Sequence, residues 1–479
     1  MTARTTDAAR RRPPAGTTVT QESTPSVHPA APVPGLVLAF APVGLATHDR
    51  ARVGADELTV GRAPAAAWCI PDERLSRAHF AVRFADERFV ARDLGSRNGT
   101  FADGARLETP RELAPGTVLR AGECAFVLER DLGRLAAPGE RPAHDIAGRF
   151  HGPPLVQRLR LAAHTGRHVL LHGETGAGKE LAARALHALL ARTGRGGPLV
   201  AQNAARFAGE DDAVSSIFGL VKGAFTGVEA RPGALEQAAG GTLFLDEVHN
   251  LPVRVQRSLL RFAEDGLGPR VGEAVGRKLD VRLILGTNVP LDQAVADGRL
   301  AHDLVARLHP VAVPPLRDRR ADVPGIFAAV LHRVLAALGH EAEAVLAALD
   351  ARAAERLLRH DYRRGNTREL ESLAALVAAR LAVGEPPAAA LRGALDEALP
   401  AAPAPAPAGD PGAEPNALDA AASAYERHRA EIVAAYREVD GNLTRLEQVL
   451  EARGVRCSRR WLAVFLERWG VRARRRTSG

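Results

Sequence analysis

From position 35 onward, apolar residues come in short stretches separated by turn residues: 36–40, Leu58–Gly61, 79–84, 89–94 and 117–128, with Asp103-Gly104 as one of the turns. This spacing predicts a small all-β sandwich. Past a polar connection near 130–145, apolar strands at Val169–His172, 199–202, 242–245 and 281–286 alternate with helix-period segments. Such alternation predicts an α/β core. From 326 to 395 the apolar period is helical with few strand signals, which predicts a helical lid. Alanine and proline dominate 398–415, a stiff linker, and the last sixty or so residues read as a small helical domain. The expected divisions are therefore a disordered tail (1–34), a β domain (35–130), a linker (131–145), an α/β core (146–325), a lid (326–397), an Ala/Pro linker (398–417) and a C-terminal helical domain (418–479).

Composition changes this picture little: 46% hydrophobic and 25% charged residues are ordinary for a soluble globular chain. No apolar run approaches the eighteen or so residues of a membrane span, and the first residues lack a secretory signal, so no membrane partner and a cytoplasmic location are expected. Cys69, Cys124 and Cys457 are odd in number and scattered, which argues against disulfides and a zinc site. The basic residues are more informative. Of 64, only Lys179, Lys222 and Lys278 are lysines, so arginine is the default cation. A lysine that survives in such a background suggests a position where a compact ammonium is needed.

Lys179 closes a stretch with evident chemistry. Gly173, Glu174, Thr175, Gly176, Ala177, Gly178, Lys179 and Glu180 follow an apolar strand and open a helical pattern, the context of a phosphate loop. Its glycines let backbone amides face phosphates, the helix N-terminus adds its dipole, and Lys179 is placed to reach the β and γ groups of ATP. Asp246 and Glu247 end the strand at 242–245, where Asp246 suits a Mg²⁺ ion held through water and Glu247 suits polarisation of the attacking water. Glu180 stands where a hydroxyl residue usually ligates Mg²⁺. Between the two motifs lies Gly223, Ala224, Phe225, Thr226 and Gly227, a large apolar residue in a glycine-flanked turn. An exposed aromatic there implies a contact partner and points to a motor.

In the β domain, Gly61-Arg62, Ser76-Arg77-Ala78-His79 and Asn98-Gly99-Thr100-Phe101 arrive in that order, and residues 35–130 resemble the forkhead-associated (FHA) domain. The resemblance implies that Arg62 and Ser76 grip a phosphothreonine, with Arg77, Ser96 and Arg97 nearby and Asn98 on the peptide main chain. An arginine fork and a hydroxyl suit a doubly charged phosphate. His79 reads as a buttress for the loop.

Residues 148–383 resemble the AAA+ domain of bacterial sigma-54 activators, in which the phosphate loop ends Gly-Lys-Glu. Phe218-Gly219, Lys222 through Gly227, Gly240 through Glu247, Pro314 through Arg319 and Gly365 through Leu370 carry the likeness. It implies that Gly223, Ala224, Phe225, Thr226 and Gly227 engage sigma-54, and that Asn203 restrains Glu247 until ATP is sensed. It further implies that Asn288 and Arg368 are sensors and that Arg307 completes a neighbour's site in a hexameric or heptameric ring. The chain departs from the pattern at Leu220-Val221, Val228, Ala301 and Arg363-Arg364.

Gly441 through Arg445, Gly454-Val455 and 458–469 resemble the Fis-type helix-turn-helix of the same activators. From Arg453 onward nine arginines face one glutamate, a surface for DNA phosphates, and Ser458, Arg459 and Arg460 are candidates for base edges. Together these features imply a sigma-54-dependent regulator that reads a phosphothreonine protein, binds enhancer DNA and hydrolyses ATP to remodel the sigma-54 RNA polymerase holoenzyme. The alternative is a non-hydrolysing, phosphoprotein-responsive DNA-binding regulator. A helicase finds support only in Asp246 through His249.

Overall fold

The computed structural model describes residues 31–42, 49–194, 196–224, 229–399, 429–439, 445–446, 449–450, 462 and 466. Of the expected features, the tail to residue 30, most of the Ala/Pro linker, Phe225, Thr226, Gly227, Ser458, Arg459 and Arg460 lie outside the described residues. The chain is multidomain, with an all-β sandwich, an α/β core carrying a helical lid, and helices at the C-terminus.

The described residues between Gly35 and Glu129 form two sheets. One has the order β2 (Arg50–Arg52), β1 (Gly35–Phe40), β11 (Cys124–Glu129), β10 (Val118–Ala121), β7 (Thr100–Ala102), β8 (Ala105–Arg106). The other runs β4 (Trp68–Cys69), β3 (Leu58–Gly61), β5 (Phe80–Ala85), β6 (Arg88–Asp93), β9 (Arg111–Leu113). Leu36, Leu38, Phe80, Val82, Phe126 and Leu128 point between the sheets into one core, as period-two alternation requires.

The α/β core is a five-stranded parallel sheet in the order Leu199–Asn203, Thr242–Asp246, Arg282–Thr287, Val169–His172, His309–Ala312. Successive side chains go to opposite faces, so Leu243, Leu245, Leu283 and Leu285 enter one apolar cluster while Phe244 and Ile284 enter the other. The lid packs its own core from Phe327, Leu331, Leu357, Tyr362, Leu373 and Leu391. The stretch read as a polar connection is tied down: Leu132–Arg134 makes a 3-10 turn, and Leu135, Ala136 and Ile146 are buried. The C-terminal unit, Pro405–Gly479, is described by itself through helix Arg429–Glu438, with Ile432 and Ala435 buried. Among the described residues no helix is long and apolar enough to cross a membrane.

The sandwich is seated on the α/β core and its lid within the first unit. Val37, Val118 and Val127, on the outer face of the six-stranded sheet, pack with Phe150, Ala321, Ala354 and Leu358. At this seam Arg120 donates through Nε to Glu355 Oε2 at 2.7 Å, with both side chains largely buried (12% and 7% exposed), and its guanidinium lies 3.9 Å from the Phe101 ring centre. Removing one member of a buried pair strands the other charge. Arg120→Ala should therefore lower the urea midpoint by the equivalent of about 3 kcal/mol, whereas Arg120→Met combined with Glu355→Leu should cost far less. Equal losses in the single and double variants would contradict this role.

Candidate functional site

The nucleotide cleft forms where the parallel strands end. Strand Val169–His172 delivers the loop and helix Lys179–Ala191 receives it, and Gly178 turns the chain in the left-handed region at φ 102°. Gly176, at φ +71°, is pressed so close to the lid that a Cβ there would sit 2.0 Å from the carbonyl oxygen of Gly365. The lid grips the same residue through Thr367, whose backbone N–H and hydroxyl both donate to the Gly176 carbonyl at 3.1 and 2.7 Å. Asn366 is fully buried, donates to the Thr175 carbonyl at 3.0 Å and to Glu174 at 3.1 Å, and accepts from the Leu316 N–H at 2.8 Å.

Glu174 is further clamped by both terminal guanidinium nitrogens of Arg317, which hold its carboxyl below the usual carboxylate range. Arg319, buried, donates to the Ala177 carbonyl at 2.7 Å.

Inside this frame Lys179 donates to the carbonyls of Gly173 and Glu174 at 2.9 and 3.1 Å. Burial pulls its pKa down, while Asp246 and Glu247 pull it up. Thr175, Gly176, Gly178, Lys179, Glu180, Asp246, Glu247, Asn288 and Arg368 face one cleft of about 450 Å³. Asn288 reaches the loop directly, donating to the Thr175 hydroxyl at 2.9 Å. Asp246 accepts the Glu247 N–H at 2.9 Å, and Gly286 on the next strand leaves it room: a Cβ there would lie 2.3 Å from Asp246 Oδ1. Glu247 has φ 55°, a left-handed conformation that costs a non-glycine residue and concentrates at functional sites. An ammonium among carbonyls beside two carboxylates is a donor set that fits a magnesium nucleotide.

The remaining expected residues are placed as follows. Asn203 caps a 3-10 turn by accepting the Ala205 N–H, and it is Asn250, three positions after Glu247, that donates to Glu247 Oε2 at 3.2 Å. Glu180 lines the cleft and pairs with Arg184. Arg307 does not line this cleft; it is exposed and pairs with Glu264 at 2.9 Å. Phe225, Thr226 and Gly227 lie outside the described residues, but the base of their loop is built. Gly219-Leu220 pairs antiparallel with Arg231-Pro232, and Val221 donates to the Val271 carbonyl at 3.1 Å. Lys222 meets Glu229 across the loop at 3.4 Å. Leu220, one of the departures from the family pattern, is buried in this base.

The second cleft, about 690 Å³, is lined by Arg62, Ser76, Arg97 and Asn98. Gly61 lets the loops cross, since a Cβ there would lie 2.2 Å from the Arg77 carbonyl oxygen. The Ser76 hydroxyl accepts the Arg97 N–H at 3.1 Å and donates to no acceptor among the described residues. Asn98 donates to the Arg74 carbonyl at 2.7 Å. Two residues expected nearby do other work. Arg77 does not line the cleft, and the Ser96 hydroxyl is spent inside its loop, donating to Asp93 at 2.6 Å and accepting from the Gly99 N–H at 2.9 Å. Burial pushes the Asp93 carboxyl up, yet the hydrogen bonds from Ser96 and Thr100 hold it below its ordinary range. His79 accepts the Ser76 N–H at 2.9 Å through Nδ1 and meets the Gly99 carbonyl at 3.2 Å through Nε2, so its ring joins the two loops.

Comparison with known proteins fits both clefts. The sigma-54 interaction domain profile matches residues 153–314, and the FHA domain profile matches residues 58–122. The chain carries a sigma-54 interaction domain and an FHA domain. It is 44% identical over 218 residues to the phenol regulator MopR of Acinetobacter guillouiae, covering 45% of this chain and 38% of that protein. To the DNA-binding transcriptional regulator NtrC of Bradyrhizobium sp. (strain RP501 Parasponia) it is 41% identical over 261 residues, 51% of this chain and 52% of that one. The chain spans about half the length of the curated relatives it matches. Among solved structures, NtrX from Brucella abortus in complex with ATP is 29% identical, covering 66% of this chain and 67% of that one with a TM-score of 0.41.

Gly176→Ala should abolish binding of a fluorescent ATP analogue, because the methyl group collides with the lid backbone. Gly178→Ala meets nothing within 4 Å and should cost only the left-handed penalty of about 1–2 kcal/mol. Equal affinities for the two variants would refute the close contact. Burial also holds His79, His172, His187 and His249 below the usual histidine range. The unfolded chain then takes up protons near pH 6.5 that the folded chain refuses, so stability is complete above that pH and falls below it. Melting temperature should drop between about pH 7 and about pH 5.5, and a flat profile would contradict the buried, neutral rings.

Proposed function

We propose that the chain is a phosphothreonine-responsive, sigma-54-dependent transcriptional activator that binds enhancer DNA and uses ATP hydrolysis to remodel the sigma-54 RNA polymerase holoenzyme. The observation that carries this reading is the convergence of the phosphate loop, the acidic pair, Asn288 and Arg368 on one cleft, in a domain whose inserted loop matches the sigma-54 contact sequence.

A Mg²⁺ ion brought with ATP would supply charge neutralisation to the reaction. Lys179 leaves the carbonyls of Gly173 and Glu174 to meet the β and γ phosphates, and Asp246 would hold the ion. Glu247 orients the attacking water and takes its proton as the bond between the γ phosphorus and its bridging oxygen breaks. Asn203 restrains the Glu247 carboxylate until ATP is sensed, and the Asn250 amide, which donates to Glu247 Oε2, supports the same restraint. Arg307, outside its own cleft, suits a neighbouring subunit's γ phosphate in a ring of six or seven. Nucleotide state reaches the Phe225 loop through its buried base at Leu220. Arg62 and Ser76 take the phosphothreonine, and Ser458, Arg459 and Arg460 face enhancer DNA.

Steady-state ATP turnover by the wild-type chain should exceed that of Glu247→Gln by about 10²–10⁴-fold. Equal, background-level rates would favour the non-hydrolysing DNA-binding regulator.

A further inference from the structure

The cleft that holds Arg62 and Ser76 is not bounded by the sandwich alone. Its far wall is the start of helix Ala351–Arg359 of the ATPase lid, whose Asp350, Ala351 and Arg352 line the same cleft. Several contacts hold this wall in place. Arg120 bridges from Phe101, on strand β7 just after Asn98, to Glu355 one turn along the helix. At the other end Arg359 approaches Gly104 so closely that a Cβ there would lie 2.2 Å from its guanidinium. Arg320 donates to the Gly116 carbonyl at 3.2 Å, and Val118 and Val127 pack against Ala354 and Leu358.

The charges in the cleft are unevenly committed. Glu123 is paired with Arg74, Arg120 with Glu355, and the Asp350 carboxylate caps the helix by accepting the Ala353 N–H at 2.8 Å. Arg62, Arg97 and Arg352 have no carboxylate partner among the described residues, and Glu73 is the one lining acid likewise uncommitted there. Two of the three free arginines come from the sandwich and one from the lid.

We propose that the phosphopeptide groove is shared between the two domains, and that Arg352 of the lid is a specificity residue that pairs with an acidic side chain flanking the phosphothreonine. The proposal rests on the reading of Arg62 and Ser76 as the phosphate grip. Arg352 is exposed, so its pairing with a peptide carboxylate is screened and modest, enough to set a preference among phosphopeptides without creating binding where the phosphate is absent. An isolated sandwich lacks this wall and reads the phosphate without the flanking acid.

The test uses the full chain and fluorescence anisotropy with short phosphothreonine peptides carrying either Glu or Lys at each flanking position in turn, alongside their unphosphorylated forms. Wild type should prefer Glu at one position by about three- to tenfold. Arg352→Ala should erase that preference and Arg352→Glu reverse it, both with phosphate dependence intact, while Arg62→Ala should lose all the phosphopeptides. Wild-type preference retained in Arg352→Glu, with Arg62→Ala inactive, would overturn the shared groove and leave the phosphate grip standing. No phosphate-dependent binding by wild type would overturn the grip itself, and the shared groove with it.

Discussion

Everything in the ATPase domain depends on how tightly the phosphate loop is pressed against the lid. A glycine at 176 is required because a carbonyl of the lid occupies the space a side chain would fill. Around that contact, Thr367, Asn366, Arg317 and Arg319 satisfy carbonyls and the carboxylate of the loop. Backbone carbonyls buried without partners are costly, so these bonds fix the loop in one shape and tie the lid to it. The phosphate seat is thus in direct contact with the segment Gly365–Arg368, which carries the second expected sensor.

The same lid carries the sandwich. Helix Ala351–Arg359 packs on the outer sheet face through Ala354 and Leu358, and its chain continues through Tyr362, buried and bonded to the Leu357 carbonyl, into the segment that grips Gly176. One continuous piece of chain therefore touches the sandwich cleft lined by Arg62 and Ser76 at its start and the cleft of the phosphate loop at its end. Packed interfaces of this kind shift between discrete arrangements rather than deforming smoothly. The buried Arg120–Glu355 pair adds orientation to an otherwise apolar seam.

Much of this was legible in the residues because local chemistry dictated it. The four core strands at Val169–His172, 199–202, 242–245 and 281–286 announced themselves by apolar runs, and the fifth, His309–Ala312, was hidden by its histidine and proline. The phosphate loop and acidic pair have fixed spacing and so fixed places. Less legible were roles that depend on tertiary approach. Asn203 is expected from the resemblance to restrain Glu247, whereas the Asn250 amide that donates to Glu247 Oε2 gives no signal in the sequence. Ser96 looks like a phosphate ligand, but Asp93, three residues earlier, claims its hydroxyl. The seat of the sandwich did leave a trace: Leu36 through Phe40 and Ala125 through Leu128 are continuously apolar, the signature of strands buried on both faces. Arg352 left none, since an arginine on a polar helix end resembles any solvated surface.

The account stands or falls on coupling between ATP turnover and the Phe225 loop. The most direct measurement is ATP-dependent open-complex formation at a sigma-54 promoter by purified holoenzyme with the wild-type chain or Phe225→Ala, with ATP turnover followed in parallel. The account predicts that the variant still hydrolyses ATP but yields no open complexes above background. Open complexes formed by Phe225→Ala at the wild-type rate would contradict it.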